Sequence, residues 1–191
     1  MAAVLRELPP RDAHRWLDRF VREAPRRIRA LEERACAERP QIKPESFDRG
    51  EESLVRVWEW LVQHVNLKLP SEFPAPDPWW IPADPTSTID PDLAEWSDRI
   101  SLYVTACFKA AFPDRGIRWR LCTDSGVEPT LIHQPVLTGF HTLFCPRLLV
   151  YDLALKIPQG IQAGRTLCDA FQLWSDDVTP KRAGVPPAAE K

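Results

Sequence analysis

Apolar residues recur at alternating spacings of four and three through the first part of the chain. Leu17, Val21, Ala24, Ile28, Leu31 and Ala35 fall on one stripe, widened by Trp16 and Phe20, and predict a helix over residues 12–37. Pro25 interrupts it, and because the apolar phase continues past the proline, a kink is expected rather than a break. This first helix is read as part of the body or as a separate helical arm. A second helix is predicted from about Glu51 to Asn66, with Leu54, Trp58, Leu61 and Val65 on one face and two acids in its first turn. Trp60 lies well around that helix from Trp58 and needs cover from another element.

Between Pro70 and Pro91 the pattern disappears, and seven prolines exclude a helix or a central strand. Phe73, Trp79, Trp80 and Ile81 are too apolar for a linker, so an ordered strap packed on the body is expected. Asp90 followed by Pro91 is a helix start, and Leu93, Trp96, Ile100, Val104, Cys107, Phe108 and Ala111 make the widest apolar stripe of the chain. Period two takes over at Ile117, Trp119 and Leu121, and a second strand is expected across "TLIHQPVLTGF", with Pro135 confining it to an edge or a bulge. Residues 147–157 alternate like a strand, yet Pro146 and Gly160 frame them like a helix, and helix is the reading adopted. A last helix starts from a capping-box-like Thr166 and Asp169, and 179–191 reads as a disordered tail. The expectation is an α+β domain over 1–178: N-terminal helices, a proline-rich strap, a central helix, a small antiparallel sheet and two C-terminal helices.

Composition narrows the function classes. The 191 residues are 44% hydrophobic and 27% charged, with a net charge of −2, which argues against general attraction to nucleic acid or anionic membrane. With no apolar run long enough for a membrane helix and no leader pattern, a cytoplasmic protein is expected. The five cysteines contain no CxxC pair and read as small buried hydrophobes. There is no phosphate-cradling glycine loop and no nucleophile-elbow motif.

Candidate chemistry is sparse. Cys122, His133, His141 and Cys145 can be drawn as a zinc set, but they lack the close paired spacing of ligands from one turn, so no metal and no cofactor is expected. Cys122 with His133 across a hairpin is the alternative, a small enzyme with a Cys/His site near residues 122–145. Asp90 and Asp92 are explained by helix capping, whereas Asp176 and Asp177 oppose the dipole of the last helix and mark either its end or a basic partner's site. Arg15, Arg19, Arg22, Arg26 and Arg29 form a basic stripe, partly neutralised by the spacings Asp18–Arg22, Arg19–Glu23 and Arg29–Glu33, and read as a solvated face.

The succession "SFDRGEESLVRVWEWL", "WSDRISLYV", "IRWRL", "QPVL" and "TLCDAFQLW", over residues 46–175, resembles small bacterial α+β proteins of unknown function, some of them immunity-like proteins beside polymorphic toxin systems. The resemblance implies a non-catalytic protein that binds another protein. Trp79, Trp80 and Trp119 are the candidate contact residues, since tryptophan is the commonest binding anchor.

Overall fold

The computed structural model describes residues 5, 8–68, 91–124, 126, 127, 129–157 and 165–178. Most of the expected strap, with Trp79, Trp80 and Asp90, lies outside the described residues, as do the side chain of Asp92 and the tail at 179–191. Among the described residues the architecture is α+β: five helices, α1 (Pro10–Glu38), α2 (Glu51–Lys68), α3 (Pro91–Ala111), α4 (Pro146–Leu155) and α5 (Thr166–Ser175), and an antiparallel pair, β1 (Trp119–Leu121) and β2 (Pro135–Leu137). None of the described helices is long and apolar enough to cross a membrane.

The helix α3 organises the rest. From Ile100 to Phe108 every residue except Ala106 is buried, so it is covered on all sides, with α1, α2 and α4 as neighbours. Two of its buried hydroxyls are satisfied within the helix: Ser101 Oγ donates to the Asp98 carbonyl and Thr105 Oγ1 to the Ser101 carbonyl, which lets these polar side chains sit in an apolar layer. Phe108 meets the rings of Phe140, Phe144 and Phe171 at centroid distances of 5.2, 5.5 and 4.4 Å, and Phe144 stacks on Trp174 at 4.1 Å. This aromatic cluster ties α3 to α5 and to the segment after β2.

Helix α1 runs unbroken through Pro25. Pro25 and Val21 are both exposed, so the carbonyl that the proline leaves without a donor opens onto solvent. The buried stripe is Ala13, Leu17, Phe20, Leu31 and Ala35; Val21, expected on it, is 37% exposed because Phe20 takes the inward position. Trp60 finds its cover: it is buried, edge-on to Trp96 at 4.9 Å, with Nε1 donating to Glu38 Oε2 at 2.7 Å. Arg34 and His64 Nδ1, the latter at 3.3 Å, also face the Glu38 carboxylate, which closes the end of α1 onto α2.

The strands are shorter than the alternation predicts. Pairing of Trp119 with Leu137 and of Leu121 with Pro135 bounds the sheet. On one side the Arg118 N–H turns to Thr138 Oγ1, beside Gly116 at φ 66°. On the other, a 3-10 turn at Pro129–Leu131 and a left-handed His133 (φ 60°) replace the first half of the expected second strand. Residues 146–155 are helical, with Pro146 in the first turn, where its missing N–H has no partner to lose. Helix α5 starts without the expected box: Arg165 precedes it with no side-chain cap, and Asp169 pairs with Arg165 at 3.7 Å.

Candidate binding groove at Trp119

Of the three tryptophans singled out in the sequence, Trp119 is the one among the described residues. It sits at the start of β1, half-buried, with the ring of Phe20 edge-on to it at 5.5 Å. The indole packs against both the central apolar core and the smaller cluster of Ala13, Leu17, Phe20, Leu102 and Leu121 under α1. Its remaining surface lines an open depression of about 560 Å³, shared with Asp114, Arg115, Gly116, Arg118, Thr138 and Gly139.

The floor of this depression follows from backbone conformation. Gly116 and Gly139 both have positive φ, 66° and 93°, which glycine adopts without a Cβ penalty. At Gly139 the space is also used: a Cβ would stand 3.1 Å from Ile117 Cγ1 and 3.2 Å from the Arg115 carbonyl. The hydroxyl of Thr138 accepts the Arg118 N–H at 3.1 Å, so its two neighbours hold the rim in place. Arg118 is exposed and Arg115 half-exposed, and neither guanidinium meets a carboxylate among the described residues. A rigid indole flanked by two unpaired guanidiniums, with the single carboxylate of Asp114 on the same lining, favours a ligand offering an apolar or planar group together with negative charge directed at the arginines. The alternation predicted Trp119 and Arg118, but the glycines and Arg115 were illegible as a group, because they converge only once β1 and β2 pair.

The other candidates separate. Cys122 and Cys145 belong to one small buried cluster with Val136, and Cys145 donates its thiol to the Pro135 carbonyl. Burial pushes the Cys145 thiol up to about 11, the reverse of what a nucleophile needs. His133 turns instead to the Leu5 carbonyl, 3.2 Å from Nδ1, while the backbone of His141 bonds to that of Asp177. Among the described residues no group of three or more His, Cys, Asp or Glu side chains is placed to hold a metal ion. Asp177 has an internal role: its carboxylate accepts the backbone N–H and the hydroxyl of Thr142, at 2.9 and 2.7 Å, and these bonds hold its pKa below the ordinary value. It pins the 141–142 turn to the end of α5.

A second polar cluster is buried between α1, α2 and α3. The Arg49 guanidinium lies 4.4 Å above the Tyr103 ring and pairs with Glu32, next to Ser53 and Cys107. Burial pushes the Cys107 thiol up to about 12 and the Tyr103 hydroxyl above its usual value. Its groups join α1 and α3 to the turn before α2.

No family model, no curated protein and no solved structure matches this chain.

Proposed function

We propose that this is a non-catalytic protein-binding protein of the immunity-like kind its sequence resembles, and that the groove at Trp119 is its contact surface. The carrying observation is the half-buried indole of Trp119, fixed by Phe20 and flanked by Arg115 and Arg118, which form no ion pair among the described residues and outnumber the one carboxylate of the lining, Asp114. Tryptophan and arginine dominate binding energy where they are pre-positioned, since little side-chain entropy remains to be lost. The chemistry of the groove asks for an acidic partner surface with an apolar or planar projection.

The test uses the full chain. A protein retained by it is identified, purified and titrated against wild type and against Arg115→Glu/Arg118→Glu. The double reversal is expected to weaken binding by about a hundredfold, the loss typical of two interfacial charges turned repulsive. Equal affinity for both forms would remove the groove from the interface. Substrate turnover by the purified chain would overturn the non-catalytic reading.

A further inference from the structure

The outer face of α1 carries a second surface, remote from the groove. At about 100° per residue, Arg11, Arg15, Arg19, Arg22, Arg26 and Arg29 fall within an arc of about 80°, directly opposite Leu17, Phe20, Leu31 and Ala35. From Arg11 to Arg29 the stripe is about 27 Å long, and all six residues are exposed. The neutralising pairs that the spacing suggests, Asp18–Arg22, Arg19–Glu23 and Arg29–Glu33, are not formed. Instead Arg15 meets Asp12 at 3.5 Å and Arg26 meets Glu23 at 3.6 Å, leaving those arginines 63% and 79% exposed. Arg11, Arg19, Arg22 and Arg29 meet no carboxylate among the described residues.

A face kept only for solvation normally interleaves opposite charges. Here Arg11 with Arg15, Arg15 with Arg19, and Arg22 with Arg26 are like-charge neighbours at a spacing that weakens a helix, and Arg11 also opposes the dipole at the helix start. Among the described residues only the exposed contacts of Arg15 with Asp12 and of Arg26 with Glu23 offset this repulsion.

We infer that this stripe docks an acidic helix of a partner protein. The ribbon is one helix face wide and has acidic margins, Asp18 on one side and Asp12 and Glu23 on the other. A rod with a single stripe of glutamates repeats along its axis at the same three- and four-residue spacing and avoids those margins. The phosphates of a duplex flank a major groove about 12 Å wide and would meet the acids on both sides. The net charge of −2 already includes these six arginines, so the rest of the chain repels an extended polyanion or an anionic bilayer. Helix α1 holds arginines and no lysine, and the planar fork of arginine takes a carboxylate through two parallel hydrogen bonds. This surface lies across the helix from Phe20 and Trp119, so it stands or falls separately from the groove.

The probe is an alanine-rich helical peptide with glutamates every three or four residues along one face, titrated into the full chain at an ionic strength of about 0.01 M, where screening is weak. A peptide of the same composition in scrambled order, a short DNA duplex and phosphatidylserine vesicles are titrated in parallel. The striped peptide is expected to bind at least about tenfold more tightly than the scrambled one, and Arg19→Glu/Arg22→Glu/Arg26→Glu to erase that preference. The milder Arg22→Gln/Arg26→Gln should lower it in the same direction, and Arg115→Glu/Arg118→Glu should leave it unchanged. Equal binding of the two peptides, or no binding of either, overturns the proposal. Tighter binding of the duplex or the vesicles, lost in the triple variant, also overturns it and makes the stripe a phosphate-binding surface.

Discussion

The two sides of α3 are joined to their neighbours by different forces. Towards α5, Phe108, Phe140, Phe144, Phe171 and Trp174 pack ring against ring with no charged group among them. Towards α1, the apolar packing of Leu102 against Leu17 and Phe20 is joined by charged seams. Asp98 takes Arg147 of α4 and, at 3.7 Å, Arg27 of α1, and the Arg147 guanidinium lies 5.5 Å from the Trp16 ring. Glu38 takes Trp60, His64 and Arg34, and Glu32 takes Arg49. The aromatic side derives its strength from burial, which neither pH nor salt alters much. The α1 side adds ionised carboxylates to its apolar packing, so conditions that leave the first side intact should loosen the second. The two surfaces proposed for binding, on the groove and on the outer face of α1, lie outside both.

The largest effect expected is on the aromatic side. Phe144→Ala should lower stability by about 3–5 kcal/mol, as for other buried aromatics. A denaturation midpoint within error of wild type would show that the ring cluster is not the anchor.

Removing the carboxylate that α1 and α4 share should come next. Asp98→Asn leaves Arg147, whose side chain is 14% exposed, without a counter-charge, and leaves Arg27 with Glu23 alone. A loss of about 2–3 kcal/mol is expected, below the range for a fully buried pair because the site is partly open. A double-mutant cycle with Arg147→Met should show coupling of about 1–2 kcal/mol, and additivity would mean the pair is ornamental.

The pH dependence separates the two sides more finely. At Glu38 desolvation raises the pKa, but the hydrogen bonds from Trp60, His64 and Arg34 outweigh it and hold the carboxyl below its ordinary 4.5. A carboxylate with a lowered folded pKa contributes stability that is complete above its unfolded value and fades as pH falls through the folded one. Wild type should therefore lose stability below about pH 4.5, with part of that slope absent in Glu38→Gln. Urea midpoints measured from pH 6 down to pH 3 check it; parallel curves for the two proteins would refute it.

Much of this contrast could be read in the sequence on one side and hardly any on the other. The stripes of α1, α2 and α3 are apolar periodicity, and periodicity is local, so the helices were legible. Pro146 and Gly160 together decided for α4 in an alternating segment, because proline suits the first turn of a helix and glycine the position past its end. Val21 misled, since position on the stripe does not say which of two adjacent residues meets a neighbour. The strands were overextended, because alternation cannot reveal that Thr138 takes the Arg118 N–H or that His133 turns left-handed. The seams were invisible for a different reason: Asp177 meets Thr142, and Glu38 meets Trp60, across stretches that no spacing rule relates. At the site, Trp119 and Arg118 stood out in the alternation, whereas Gly116, Gly139 and Arg115 acquire meaning only from the pairing of β1 with β2.

The smallest stability effect is expected at the groove. Arg115 and Arg118 make no described ion pair, so Arg115→Glu/Arg118→Glu should change stability by no more than about 0.5 kcal/mol. Measuring thermal stability and partner affinity on that one variant tests the central claim most directly, namely that these charges serve a partner and not the fold. An unchanged melting temperature with affinity lowered by about a hundredfold is the predicted result. A destabilised protein, or a stable one that binds its partner as wild type does, would contradict it.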